Sequence, residues 1–321
     1  MSTESKRFDP AIQTEDIGFS PEELVACGVC GRKNSPERSD CLYCGAGLSG
    51  NSLTAKHAIR RLEQWDPGVS LILTGSGDVA EAARLLDIEA EQLSSIIGAG
   101  VPLPVARSDE RSIAGLVEEL SKAGFEPRAV SDDELAISRP QTRLSALVLD
   151  ASGVTATDFN TRERYSHTWE EIVLIVVGLL TSGKIDAIEK RRRKNTSVLS
   201  ESVTSNDEPV IDLYAADSMV GYRINLSGFD FSTLGDDMSQ LATENIIRLA
   251  DALKQKATQA KFVDDYRSVR HLLTGIWDLE TRKDPQGLQQ IGFGKREFGV
   301  VHSTNNADQL TRFSRLQRVM L

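Results

Sequence analysis

The chain is 321 residues long, 40% hydrophobic and 26% charged, with 24 glycines and 10 prolines, the proportions of a globular protein rather than a disordered, collagenous or coiled-coil one. That length is enough for two or three domains whose cores need no disulfide staples. Forty-seven acidic residues against 37 basic ones leave a net charge of -10, which argues against a protein that coats nucleic acid and leaves room only for local basic patches.

Residues 1–20 are polar, lack the apolar core of a signal peptide and read as a mobile leader. The longest apolar run, Ile172 to Leu180, is nine residues, too short to span a bilayer. A cytoplasmic chain with reduced thiols is therefore expected. All four cysteines fall between Cys27 and Cys44, in a module placed at 21–50. Ile59, Leu62 and Trp65 follow at helical spacing, which predicts a helical linker over 51–66 ending at Asp66-Pro67-Gly68.

From 67 to 138 strand and helix signals alternate. Val69 to Thr74 is apolar and partly β-branched, and Val79 to Ile97 is helical with a break near Asp87. Val101 to Val105 is extended. Ser108 to Ala123 is a capped helix with Ile113, Leu116, Val117 and Leu120 on one face, stopped by Gly124 before a strand at Pro127 to Val130. The result is a small βααβαβ domain.

Strands dominate 139–281, at Leu144 to Leu149, Gly153 to Asp158, Tyr165 to Trp169, Ile172 to Leu180, Val210 to Ala215 and Val220 to Leu226. Amphipathic helices follow, on Met238 to Leu253 and Tyr266 to Trp277. Lys190 to Glu208, rich in Ser and poor in apolar residues, reads as a flexible insertion. Residues 282–321 hold seven bases and three acids and read as a basic, helical C-terminal extension. Its last helix carries Leu310, Phe313, Leu316 and Val319 behind a capping box of Asn306 and Gln309, with Arg312, Arg315 and Arg318 on an adjacent solvated face. The fold class is thus α+β and multidomain.

The most specific chemistry lies in Cys27-Gly-Val-Cys30 and Cys41-Leu-Tyr-Cys44. Two CxxC turns supply four thiolates, which suits one tetrahedral zinc ion at about 2.3 Å from sulfur. Gly31 and Gly45, each after the second cysteine of its pair, suit turns whose backbone N–H groups face the sulfurs. Four protein ligands leave no position for water, so the zinc is structural.

Two glycine loops offer the competing reading, a nucleotide-dependent enzyme. Gly75-Ser-Gly77-Asp-Val-Ala80 stands between a predicted strand and helix, the context of a dinucleotide fingerprint, with Arg107 placed to face a phosphate. The three strands of its domain are too few for a dinucleotide fold. Gly178 to Lys184 matches a phosphate loop through its lysine, but Ile185 stands where a magnesium-ligating Ser or Thr is required. His57, His167, His271 and His302 are scattered without a nucleophile or metal motif, and Asp132-Asp133-Glu134 and Asp236-Asp237 read as helix-opening acids. Lys190, Arg191, Arg192, Arg193 and Lys194 are five consecutive bases, a solvated run or a contact for anionic lipid or RNA phosphate.

The CGVCG and CLYCG halves resemble the short zinc ribbons of bacterial proteins. Pro102-Leu-Pro-Val, Ala114-Gly-Leu-Val-Glu-Glu-Leu and Ala123-Gly124 give residues 67–135 a resemblance to the C-terminal domain of the bacterial ribosomal stalk protein. That family's lysine-bearing helix is replaced here by one with Glu81 and Arg84, so its translation-factor contact is not carried over. A hairpin, the step Trp169-Glu-Glu-Ile172, further strands and a closing amphipathic helix make residues 143–258 similar to a bacterial pleckstrin-homology-like module, which implies binding of lipid, peptide or protein. The expectation is a zinc-binding, non-catalytic adaptor for a macromolecular partner, protein being favoured by the acidic net charge.

Overall fold

A computed structural model describes residues 24–34, 41–46, 48, 62, 66–192, 195–292 and 295–321. The expected leader and nearly all of the expected linker at 51–66 lie outside them. The chain divides into two compact units, 1–58 and 59–321, and its structure is mixed α and β. Among the described residues no helix is long and apolar enough to cross a membrane.

The first unit contains two short strands, β1 (Val25–Ala26) and β2 (Lys33–Asn34), paired antiparallel. The second unit opens with β3 (Val69–Thr74), α1 (Val79–Leu86), α2 (Ala90–Ile97), β4 (Pro104–Ser108), α3 (Glu110–Lys122) and β5 (Glu126–Ser131). β3 lies between β4 and β5 and runs antiparallel to both. The helical break expected near Asp87 is there: Asp87 adopts φ 54° and separates α1 from α2. Leu86, Leu93, Ile113, Leu116 and Leu120 bury one face of the three helices on Leu71 and Ile72.

Gly77, in the loop before α1, lies against the end of α3. A Cβ there would stand 2.5 Å from the Ala123 carbonyl oxygen and 2.6 Å from the Phe125 ring. Close backbone packing therefore requires the glycine, whatever the loop binds. Gly77→Ala is expected to destabilise this unit by about 1–3 kcal/mol, as overpacking does, and thermal melting of the variant checks it.

The large sheet is built from β6 (Thr142–Leu149), β7 (Gly153–Asp158), β8 (Arg164–Thr168), β9 (Ile172–Arg192), β10 (Asn195–Ala215) and β11 (Tyr222–Ile224). α4 (Ala242–Lys256), β12 (Lys261–Val263) and α5 (Tyr266–Val269) follow, then β13 (Glu280–Gly292), β14 (Lys295–Asn305) and α6 (Ala307–Val319). The strand order is β13-β14-β9-β10-β11-β6-β7-β8, with β12 parallel to β9. The sheet curls. Two strands separate β8 from β11, yet the rings of Tyr165 and Tyr222 are 5.6 Å apart, where a flat sheet would put the strands about 14 Å apart. α4 closes it, burying Ile246, Leu249 and Leu253 on Leu144, Ile175, Ile211 and Leu213.

Three expectations are corrected here. Lys190–Glu208 is no loop insertion: its described residues are the end of β9 and most of β10, paired from Asn195↔Arg192 to Glu208↔Leu180. Val198, Val203 and Thr204 are β-branched residues that suit a strand, which the low apolar content of the segment obscured. The segment 282–321 is no basic helical extension either. Most of β13, with β14, forms its first part, and α6 is buried nearly all round.

The third correction concerns α6 itself. Asn306 and Gln309 form no capping box; Asn306 takes a hydrogen bond from the Thr181 amide (2.7 Å) and donates to the Leu179 carbonyl (2.8 Å), and Gln309 accepts from the Tyr266 hydroxyl (2.9 Å) and donates to the Trp277 carbonyl (2.7 Å). Arg315 is fully buried, and its guanidinium donates to the Leu135, Ala136 and Arg139 carbonyls. Leu310, Phe313 and Leu316 join the α1–α3 core, so one apolar cluster runs from β3 to α6.

Candidate metal centre

Each CxxC segment makes a tight turn. The Gly31 amide donates to the Cys27 carbonyl at 2.8 Å and the Gly45 amide to the Cys41 carbonyl at 2.9 Å. Both glycines adopt positive φ, 69° and 70°, a conformation that side-chain-bearing residues rarely take. The turns bring Cys27, Cys30, Cys41 and Cys44 together with all four sulfurs within 4.8 Å of one another. Cys27 Sγ lies 3.6 Å from Cys44 Sγ, and Cys30 Sγ lies 3.4 Å from Cys41 Sγ. These separations far exceed a disulfide bond, about 2.04 Å. They are close to the edge of a tetrahedron of sulfurs about 2.3 Å from a central ion, roughly 3.8 Å. The site can hold one metal ion with all four positions filled by protein.

The surroundings favour thiolates. The Val29 amide donates to Cys27 Sγ at 3.4 Å, and the Cys30 and Val29 amides hold the Cys27 thiol below the usual thiol range. Burial opposes ionisation of Cys41, but the Tyr43 and Cys44 amides, with the Cys30 and Asn34 side chains, bring it down to about 6. At Cys44 the Ala46 amide favours the thiolate, but the other three sulfurs and burial outweigh it and push the thiol up to about 12. Four like charges cannot share so small a volume without a cation between them, so metal binding displaces the proton that Cys44 keeps.

Asn34 is the residue the spacing of cysteines did not reveal. It is buried in β2, accepts the Leu42 amide at 2.9 Å, donates to the Arg32 carbonyl at 2.8 Å and points its amide at Cys41 Sγ at 3.5 Å. It thus ties the first turn to the second and orients a sulfur, as outer-shell partners of metal ligands do. Nothing singled it out in the sequence, where every residue from Arg32 to Asp40 except Pro36 is polar. Val29, Leu42 and Tyr43, the residues between the paired cysteines, are exposed, and the Arg32 guanidinium stacks 4.6 Å over the Tyr43 ring.

The glycine loops are placed differently from each other. At Gly75–Ala80 the N-terminus of α1 is capped by the chain itself, Asp78 accepting from the Ala80 amide (2.9 Å) and the Glu81 amide (3.1 Å). A carboxylate thus occupies the place that a bound phosphate would take. Arg107 is turned away to Asp132, 2.7 Å distant. Gly178–Lys184 is not a loop at all but the middle of β9, which corrects the phosphate-loop reading. Gly178 lets Leu310 of α6 cross the strand, since a Cβ there would stand 2.6 Å from Leu310 Cδ1, and Lys184 pairs with Asp186 at 3.1 Å. His167 bonds the Tyr222 hydroxyl at 2.9 Å, beside a shallow cleft of about 400 Å³ formed with Arg139, Thr142 and Tyr165. His302 lies in β14 opposite Lys283, His271 is exposed and His57 lies outside the described residues.

Comparison of the chain with protein-family models, curated proteins and solved structures finds no match.

Proposed function

We propose that the chain is a non-catalytic adaptor whose N-terminal unit holds one structural zinc ion on Cys27, Cys30, Cys41 and Cys44 and offers the tips of the two cysteine turns to a protein partner. The observation that carries this reading is the four-sulfur cluster, which fills a tetrahedral ion's coordination and leaves no place for a reacting water. A tetrahedral set of four thiolates suits zinc or iron; zinc is the ion proposed, and elemental analysis separates it from iron. Exposed Val29, Leu42 and Tyr43 stand beside the ion with Arg32, the apolar, aromatic and arginine composition that protein interfaces favour. Asp78 capping α1 speaks against phosphate binding at the first glycine loop.

Two measurements test the proposal. Elemental analysis of protein purified without chelators is expected to give one zinc per chain. Partners crosslinked to the wild type in its native cell are expected to be lost from a Leu42→Asp/Tyr43→Asp variant that keeps its zinc. Micromolar binding of ATP or NAD(P) in calorimetry, with turnover of the bound nucleotide, would instead establish the enzyme.

A further inference from the structure

The ribbon of β13, β14, β9 and β10 runs far past the core. From Ser182 to Arg192, β9 continues for eleven residues, about 36 Å of strand. Residues 200–207 of β10 are all exposed, so this edge of the ribbon meets solvent on both faces, whereas Ala187, Val300 and Val301 of the neighbouring strands are buried. Three small apolar side chains give the arm little stability of its own. Its stiffness comes instead from β14, which pairs with β9 from Asn305↔Ser182 to Phe298↔Glu189.

That register decides what the arm carries. Continued beyond Phe298, it sets Arg296 level with Arg191 and Lys295 level with Arg192. Two hairpin ends one hundred residues apart in sequence therefore finish together. Lys190, Arg191, Arg192, Lys295 and Arg296 meet at one end of the ribbon, with Glu189 and Glu297 as the acids at that level, on a chain whose net charge is -10. Arg193 and Lys194, outside the described residues, are the two that join β9 to β10.

Nearer the core the charges cancel. Lys184 pairs with Asp186 at 3.1 Å, Arg282 pairs with Asp284 at 2.7 Å, and Glu201 stands across from Ala187 on the opposite face. A nucleic-acid strand lying along either face would meet these acids, whereas a binding groove needs bases that track the phosphates. Lys190, Arg191 and Arg192 are consecutive positions at the end of β9 rather than the alternate positions that make up one face of a strand. An end-on contact with a plane uses all of them.

We propose that the distal end of this ribbon docks on an anionic membrane surface, with phospholipid headgroups as its ligands. The contact is electrostatic and peripheral, separate from the cysteine cluster. Each base close to such a surface strengthens partitioning about five-fold, within a Debye length of roughly 10 Å at 0.1 M salt.

Co-sedimentation of the full chain with vesicles tests this. The wild type is expected to bind phosphatidylcholine vesicles containing about one-third phosphatidylserine at about 0.1 M salt, to ignore pure phosphatidylcholine and to be released at about 1 M salt. Lys190→Gln/Arg191→Gln/Arg192→Gln is expected to weaken binding about 100-fold, and Lys295→Gln/Arg296→Gln about 20-fold. The charge-preserving Lys295→Arg/Arg296→Lys is expected to bind as the wild type does, and unchanged far-UV circular dichroism shows that each variant is folded. Failure to bind anionic vesicles, equal binding to neutral ones, or full binding by the Lys295→Gln/Arg296→Gln variant would overturn the proposal. So would tighter binding of an RNA oligonucleotide that the same variants abolish, which would assign the arm to nucleic acid.

Discussion

Cys41→Ser is expected to remove the metal entirely and to unfold residues 24–46 while 59–321 keep their own unfolding transition. The reason is the small size of the module. Its strands are two residues each, and among its described residues the buried apolar side chains are Cys27 and Cys41 themselves. A unit this small cannot offset its conformational entropy by burial alone. On the proposed reading an ion stands in for a core, because zinc binding worth about 10–16 kcal/mol in such peptides is folding energy. Cys41 is the most informative position because its sulfur lies 3.4 Å from Cys30 Sγ and receives the Asn34 amide. Leu42→Ser, next to it and exposed, should leave the metal in place. Zinc content by elemental analysis and hydrogen exchange over 24–46 read the two outcomes. Retained zinc with unchanged protection in Cys41→Ser would show that three thiolates suffice and that the module has another source of stability.

The gathering of the four cysteines was the most legible feature of the sequence, because two CxxC turns that supply ligands to one ion leave few arrangements, whereas packing chemistry leaves many. The element order of 67–138 was readable for a related reason. Its helices have one buried face, and Ile113, Leu116 and Leu120 show that period openly. The long ribbon was not readable. Residues 200–207 of β10 meet solvent on both faces, so they have no apolar alternation to display and resemble a loop in composition. α6 failed in the opposite way. Leu310, Phe313 and Leu316 announced one buried face, but Gln309, Arg312, Ser314, Arg315 and Gln317 are buried too. Apart from Asp308, one turn before Arg312, their partners are the Trp277, Leu135, Ala136, Arg139 and Pro102 carbonyls, the Tyr214 hydroxyl and Asp132, all at least thirty residues away. No local pattern encodes a polar group that is satisfied by so distant a partner.

Asp132 shows what that buried polar surface contributes, and its removal carries the second large expected effect. One carboxylate oxygen accepts the Arg107 guanidinium at 2.7 Å and the Gly68 amide at 3.1 Å, and the other accepts the Arg312 guanidinium. Arg312 also reaches Asp308 at 2.7 Å. A single acid just beyond β5 thus joins β4 to α6, with all three side chains at most 12% exposed. Removing the acid leaves two nearly buried guanidiniums with less charge to face, and loss of one member of a buried ion pair costs about 3–5 kcal/mol. Asp132→Ala is therefore expected to lower the stability of 59–321 by that amount, read from the urea midpoint at unchanged slope. Much of the cost is stranded charge rather than lost attraction. The double variant Asp132→Ala/Arg312→Met should then be more stable than the sum of the single changes predicts, by about 1–3 kcal/mol. A loss below about 1 kcal/mol for Asp132→Ala, or strict additivity in the double variant, would mean that water reaches these arginines and that apolar contacts alone hold α6 in place.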